Sequence, residues 1–445
     1  MASVVAVFSI LAAVIVVGFV ASRIFQATRF PDIPILLLLG ILLGPVNRWA
    51  AEFGWGSGFL AENLAAESLR PAAPYLSAVA LIVILFDSGL RLDFQQFGRS
   101  MAPAAGHMAP VFILTIASIT SVAWLVFGMP PIVALALGVA LSNVGQTVSA
   151  AVIRNMRIRD EERSIYFVEM ALYDLLSIPI LVGILAYAAG GDTGAASAES
   201  GARSFAILLA VSVVLGTAAG MAWIYVLERL GPESRSYMLT FAVLLGLYSL
   251  TQVLGGSGAV SVLLFGLAVG NREAILQSLS HRSADTADEE RIMAFHEEIT
   301  FFIRTSYFLF LGVTFSTGAA GGWEVASRIP WLHGLDGTAL LFAVGAVLVF
   351  VALVASRYVV VRYVSARGRP ERRALFPVFG RGLGTAVLAT LPFIHTAYKP
   401  GSSYHALFSP WVGVFTNTAL LIILGTVLLS GVLVWRMDKG EASAG

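Results

Sequence analysis

The chain has 445 residues, of which 58% are hydrophobic, 12% are charged and none is cysteine. Such a chain is too apolar for disorder, can form no disulfide, thiolate zinc site or thiol nucleophile, and with a net charge of +1 offers no broad basic surface for nucleic acid. A polytopic membrane protein remains, because a helix crossing a bilayer uses about 20 residues and thirteen use about 260.

Met1 to Ile10 carries no positive charge ahead of its apolar run. A signal peptide would carry one, so the first segment reads as a retained helix. The apolar runs predict spans at about 3–21, 33–46, 72–90, 106–127, 131–153, 164–188, 203–227, 236–253, 258–271, 295–316, 337–361, 375–397 and 411–435. The second and ninth are short for a bilayer.

Positive charge orients this series. With the N-terminus outside, inner loops collect 21 Lys and Arg residues, among them Arg154, Arg157, Arg159, Arg163, Arg357 and Arg362. Outer loops collect 5: Arg48, Arg70, Arg203, Arg328 and Lys399. The C-terminus, including a short tail at 436–445, then lies in the cytoplasm. Residues 189–202 read as a flexible outer linker rich in Gly, Ala and Ser. Residues 272–294, with Asp285, Asp288, Glu289 and Glu290, read as a cytoplasmic connection between two halves.

Two spans have polar or glycine-rich centres. The fifth contains Leu141-Ser142-Asn143-Val144-Gly145-Gln146-Thr147, and the twelfth contains Phe379-Gly380-Arg381-Gly382-Leu383-Gly384-Thr385. They lie seven spans apart and cross in opposite directions, so the halves containing them would be inverted repeats. Paired interruptions of this kind mark the substrate site of secondary transporters, since unwound backbone at that depth must face protein or water. Close packing through small residues is the simpler explanation of either span alone.

Ionisable residues within spans cost at least about 2.5 kcal/mol each near mid-membrane. Five stand out: Asp87, Glu169, Asp174, Arg304 and Arg381. Three acids against two bases leave one carboxylate without a counter-charge, able to take a proton or a cation. Asp174 fits best, about two turns into the sixth span, with Pro179 five residues on freeing a carbonyl. Glu169 points roughly 140° away from it and reads as a structural partner of Arg381. Asp87 has Arg91 four residues on, within pairing reach on one helix face, or belongs to a cation entry path. Arg304 reads equally as a counter-charge to a core acid or as a snorkelling side chain. The histidines, including His107, His296 and His395, read as interfacial polar residues near span ends. No Walker, dinucleotide-binding or His/Glu metal pattern occurs, so no ATP-driven step, enzyme activity or cofactor is expected.

These residues resemble the monovalent cation:proton antiporter superfamily, especially its sodium/proton exchanger (NhaP-like) branch. Pro34 to Pro45 resembles the second span of that family, and Ile84-Leu85-Phe86-Asp87-Ser88-Gly89-Leu90 resembles its "LF[DE]GGL" signature. Phe301 to Thr305 and Arg381 to Ala389 resemble its tenth- and twelfth-span patterns. The resemblance implies an all-α, 13-span fold of two inverted six-helix repeats with crossed, interrupted helices. The repeats would cover about 1–188 and 236–435, joined by a linking helix at about 203–227. It implies a core moving against a dimerisation domain, and a homodimer in the cell membrane. The family's ion-site aspartate would fall on Asp174, its glutamate on Glu169, that glutamate's arginine on Arg381, its third-span acid on Asp87 and its tenth-span arginine on Arg304. The fifth span of the family commonly reads "SPTDP"; here Ser142-Asn143-Val144-Gly145-Gln146 stands there, with Gly145 in place of the aspartate. Met170 and Tyr173 likewise replace a serine and an asparagine. Asn143, Gln146, Thr147, the Tyr173 hydroxyl and free carbonyls are the substitute oxygens, since hard cations accept neutral ones.

The expected activity is exchange of Na+ or K+ for protons by alternating access, with Asp174 as the shared site. One aspartate rather than two in tandem resembles the electroneutral branch. The alternatives are an organic-anion transporter on a related inverted-repeat fold, drawn to Arg381 and half-helix N-termini, and a transport-inactive membrane sensor or scaffold.

Overall fold

The computed structural model describes residues 32–54, 73–92, 94–146, 148–149, 153, 158–190, 198–230, 236–280, 286–315, 337–365, 376–395 and 398–442, with scattered positions between 12 and 23. Most of the first predicted span, and Thr147, lie outside these residues.

The described chain is helical throughout its regular structure. In order come α1 (Asp32–Ile41), a wide π turn at Leu42–Val46, α2 (Asn47–Glu52), α3 (Ala73–Leu90), α4 (Phe94–Leu125) and α5 (Pro131–Ser142). Then follow α6 (Asp160–Ala189), α7 (Ala198–Leu230), α8 (Ser236–Val253), α9 (Gly258–Gly270), α10 (Arg272–Ser280) and α11 (Thr286–Val313). The chain ends with α12 (Gly337–Val360), α13 (Leu383–Ile394), α14 (Ser403–Phe408) and α15 (Val412–Ala442). Among the described residues, six helical stretches are long and apolar enough to cross a membrane, and five shorter apolar helices accompany them.

One expectation is corrected here. The second span is not short: helix continues through the π turn, so the apolar stretch runs Ile33–Ala51. The described residues of the expected connection at 272–294 are helical, in α10 and the start of α11.

Helices α5 and α9 are apolar on every side and buried on nearly every side, the pattern of an element enclosed by others. α9 packs between α3 and α7, while α5 packs against α4, α6 and α13. α7 is their opposite. It leaves Ile207, Val214, Met221 and Tyr225 more than half exposed, a face suited to lipid. Lipid supplies no hydrophobic drive between helices, so close packing needs small residues. At α3–α9 a Cβ on Gly266 would stand 2.7 Å from the carbonyl oxygen of Phe86.

The chain breaks sit where α5 and α13 meet. α5 starts on Pro131, whose missing N–H costs nothing in a first turn, and stops at Ser142. Asn143 is extended, with φ −62° and ψ 133°. Helical bonding resumes with Ser149 N–H donating to the Gly145 carbonyl at 3.0 Å. On the other side residues 378–382 are non-helical, and Gly382, extended, caps α13. The breaks are bonded to each other: Gly145 N–H donates to the Gly380 carbonyl at 2.9 Å. Gly145 is needed for that approach, because a Cβ there would stand 2.6 Å from the Gly382 nitrogen.

Candidate ion-binding site

Asp174 projects from α6 towards these breaks and is 4% exposed. Three side chains donate hydrogen bonds to its carboxylate. Asn143 Nδ2 reaches Oδ1 at 2.6 Å. Ser88 Oγ and Gln146 Nε2 reach Oδ2 at 2.7 and 2.9 Å. The Asn143 amide also donates to Ser177 Oγ at 3.0 Å, while its backbone carbonyl accepts from Thr385 Oγ1 at 2.8 Å. The carboxylate is therefore held from α3, from the α5 break and, through Asn143, from the first turn of α13. Among the described residues no lysine or arginine forms an ion pair with it. Helix α6 contains Pro179, which leaves the Leu175 carbonyl without its usual i+4 donor.

A cavity of about 440 Å³, counted with its open mouth, lies against this carboxylate. Ser88, Asn143, Gln146 and Asp174 share its wall with Asp87, Thr300 and Arg304. Asp87 is also bonded to Arg91, whose Nε stands 2.9 Å from Oδ1. The α3 acid is thus paired on its own helix and also lines the cavity. Arg304 lines the same space from α11, one turn beyond Thr300.

Tyr173 is elsewhere. It neighbours Asp174 in sequence but turns about 100° from it on the helix. Its ring meets Phe112 of α4 edge-on, with centroids 5.9 Å apart, and its hydroxyl is no donor to Asp174.

The expected Glu169–Arg381 pair is corrected. Glu169 pairs with Arg357 of α12, whose Nη1 lies 2.6 Å from Oε1. Both side chains are at most 2% exposed, and His107 Nε2 stands 3.6 Å from the same Oε1. Arg381 is equally buried, but its Nε and Nη1 have no hydrogen-bond partner among the described residues. Its backbone N–H donates to Thr426 Oγ1 of α15 at 3.0 Å. Two further expectations change with this. Arg357 is no loop residue of the inner face, and His107 is no interfacial histidine; each is at most 2% exposed.

Ser88, Ser177 and Arg357 were not singled out by sequence. Ser177 follows Asp174 by three residues, one helical turn, which is a usable signal. Arg357 falls within the eleventh predicted span, so its depth was readable from the span boundary. Ser88 gives no signal beyond its place beside Asp87.

The profile of the transmembrane sodium/hydrogen exchanger family matches residues 9–437. The chain is similar to the K(+)/H(+) antiporter NhaP of Alkalimonas amylolytica, 25% identical over 271 residues that make 57% of this chain and 42% of that protein. It is similar to the Na(+)/H(+) antiporter NhaS2 of a Synechocystis strain, 23% identical over 64% of this chain and 52% of that protein. The chain thus spans about half the length of these two relatives. In fold it is similar to the sodium proton antiporter MjNhaP1 of Methanocaldococcus jannaschii at pH 8, with a TM-score of 0.71, 18% identity and coverage of 96% and 95% of the two chains. The chain is a multi-pass membrane protein and belongs to the transmembrane sodium/hydrogen exchanger family.

Proposed function

We propose that the protein is a secondary active antiporter that exchanges a monovalent cation, Na+ or K+, for protons. The observation that carries this is Asp174: a buried carboxylate with three neutral donors, no cationic partner among the described residues, a cavity beside it and two helix breaks around it. Such a carboxylate holds either a proton or a cation, and competition for it couples the two fluxes without another energy source. With Asp174 as the one carboxylate that takes the ion, and Asp87 of the same cavity wall kept by its pair with Arg91, one cation exchanges for one proton and the cycle is electroneutral. Asn143, Gln146 and, beyond the described residues, Thr147 supply neutral oxygens. Alternating access exposes Asp174 to each side in turn, as a core carrying two inverted repeats and their crossed breaks moves against a dimerisation domain. The protein acts as a homodimer in the cell membrane, N-terminus outside and C-terminus in the cytoplasm. The pair Glu169–Arg357 holds α6 to α12.

Purified protein in sealed liposomes containing a pH dye tests this. Imposed Na+ or K+ gradients are expected to move internal pH in the wild type and not in Asp174→Asn. No response to either ion over several pH values would overturn it.

One observation favours a second reading. The Nε and Nη1 of Arg381, without a hydrogen-bond partner among the described residues, would suit a small organic anion as cargo. Carboxylate uptake that fails in Arg381→Met, with no cation-driven pH change, would establish that reading instead.

A further inference from the structure

The three donors on Asp174 are not equivalent. Asn143 and Gln146 offer amide nitrogens, which have hydrogens and no lone pair to give a cation. To present its oxygen at the point where its nitrogen now meets Asp174, either amide must turn end for end. Asn143 is poorly placed to turn, because its Nδ2 serves Asp174 and Ser177 together. Its Oδ1, buried with no hydrogen-bond partner among the described residues, serves an ion only from the Gly384 side of the cavity. Ser88 is different. A hydroxyl carries one hydrogen and two lone pairs on one atom, so it changes from donor to ligand by rotating its O–H bond while the oxygen stays in place.

That oxygen lies 2.7 Å from Asp174 Oδ2, in the cavity wall, on a residue 3% exposed. Its hydrogen has somewhere to go. Ser88 lies inside α3, and a helical serine can donate to the carbonyl four residues back, here that of Ile84, another residue of the cavity wall. A cation against Oδ2 would therefore find a neutral oxygen already in place. The "LF[DE]GGL" signature has glycine at this position, and the aspartate of "SPTDP" is absent from this chain. The oxygen lost from the fifth-span break is matched by one gained on α3.

We infer that Ser88 is a cation ligand and a determinant of cation selectivity: its hydroxyl donates to Asp174 when the site is empty and turns its lone pair to the ion when the site is filled. The inference rests on the antiporter reading of the same site.

The test uses the full-length protein, with Ser88→Ala, Ser88→Thr and Ser88→Cys beside the wild type. Two readings are taken: Na+- and K+-driven pH change in liposomes, and the rise in melting temperature that each ion produces in detergent. Ser88→Ala is expected to raise the KM of the preferred cation roughly tenfold, the scale of one lost bond to a charged partner. It is also expected to change the Na+/K+ ratio, because one hard oxygen is lost from a cage of fixed size. Ser88→Thr, which keeps the hydroxyl, is expected to restore most of both. Ser88→Cys, with a soft sulfur in place of hard oxygen, is expected to behave like Ala and carries the test if Ala does not fold. A purely positioning serine would shift the response to both ions equally, and that result overturns the inference. So does an unchanged KM and ratio in Ala or Cys. Wild-type protein that moves no protons with either ion fails the antiporter reading instead. The melting shifts then still decide whether Ser88 binds the ion.

Discussion

Glu169 and Arg357 face each other across 2.6 Å in the interior, while Arg381, another arginine near the breaks, forms no ion pair with Glu169. The two arginines therefore have unlike energetic roles, although both are buried. Removing Arg357 takes the close counter-charge from the buried Glu169 carboxylate and leaves it the His107 imidazole at 3.6 Å, a loss that costs about 3–5 kcal/mol. Removing Arg381 strands no partner on either of those nitrogens.

The melting temperature of purified protein is accordingly expected to fall sharply in Arg357→Ala and much less in Arg381→Met. Replacing both members of the pair, Glu169→Met with Arg357→Met, is expected to recover most of the loss, since an apolar pair of similar volume often matches a buried ion pair. Thermal melts of the three variants check this. An Arg381 variant as unstable as Arg357→Ala would remove the distinction.

The donors to Asp174 give a second ordering. Asn143 Nδ2 serves both Asp174 Oδ1 and Ser177 Oγ, so Asn143→Ala leaves two buried oxygens short of a donor. Gln146 makes one bond to Asp174, at a partly buried position. An unsatisfied buried polar group costs about 1–3 kcal/mol. Asn143→Ala is thus expected to impair stability and cation KM more than Gln146→Ala. Paired melting and transport measurements decide the order, and equal effects would contradict it.

The contact between the breaks makes a third prediction. A Cβ at Gly145 meets backbone atoms of Gly382 at 2.6 and 2.7 Å, and backbone cannot rotate aside as a side chain can. Gly145→Ala is expected to separate the breaks, weaken the bond to Gly380 and abolish exchange. Gly106→Ala is the control: it lies within α4 with nothing near its Cβ direction, so it is expected to be neutral or to stabilise by about 0.5–1 kcal/mol. Transport assays on both, at matched protein levels, test it.

What the sequence revealed follows from distance along the chain. The Asp87–Arg91 bond joins residues four apart, a relation set by helix geometry alone. Asp174 and the two breaks were legible because a carboxylate, or a Gly-rich polar run, stands out against apolar surroundings. Partner choice was not. Glu169 reads as a partner of Arg381 and Arg357 as an inner-loop charge, whereas the pair Glu169 forms with Arg357 depends on how α12 packs and how each helix is rotated, which no local spacing encodes. Ser88 reaches Asp174 across 86 residues, and in sequence a serine in an apolar helix looks like any small packing residue. The second span, expected at 33–46, runs on past that bound because the π turn at Leu42–Val46 takes in Pro45 without ending the helix.

The last prediction concerns pH. If a proton and a cation compete for Asp174 alone, the protonated fraction is invisible to the cation. The apparent cation KM must then rise as pH falls. Where the proton-bound form dominates, the rise approaches about tenfold per pH unit, the limit for one competing proton. Two coupled carboxylates would approach about a hundredfold, and a regulatory proton elsewhere would change the maximal rate instead. The sign is fixed: more protons mean weaker apparent cation binding and an unchanged rate at saturating cation, provided proton release is not limiting. Cation titrations of exchange at successive pH values measure the slope directly. A slope near one supports a single shared carboxylate, whereas a KM that stays flat with pH across the working range would remove Asp174 from the coupling.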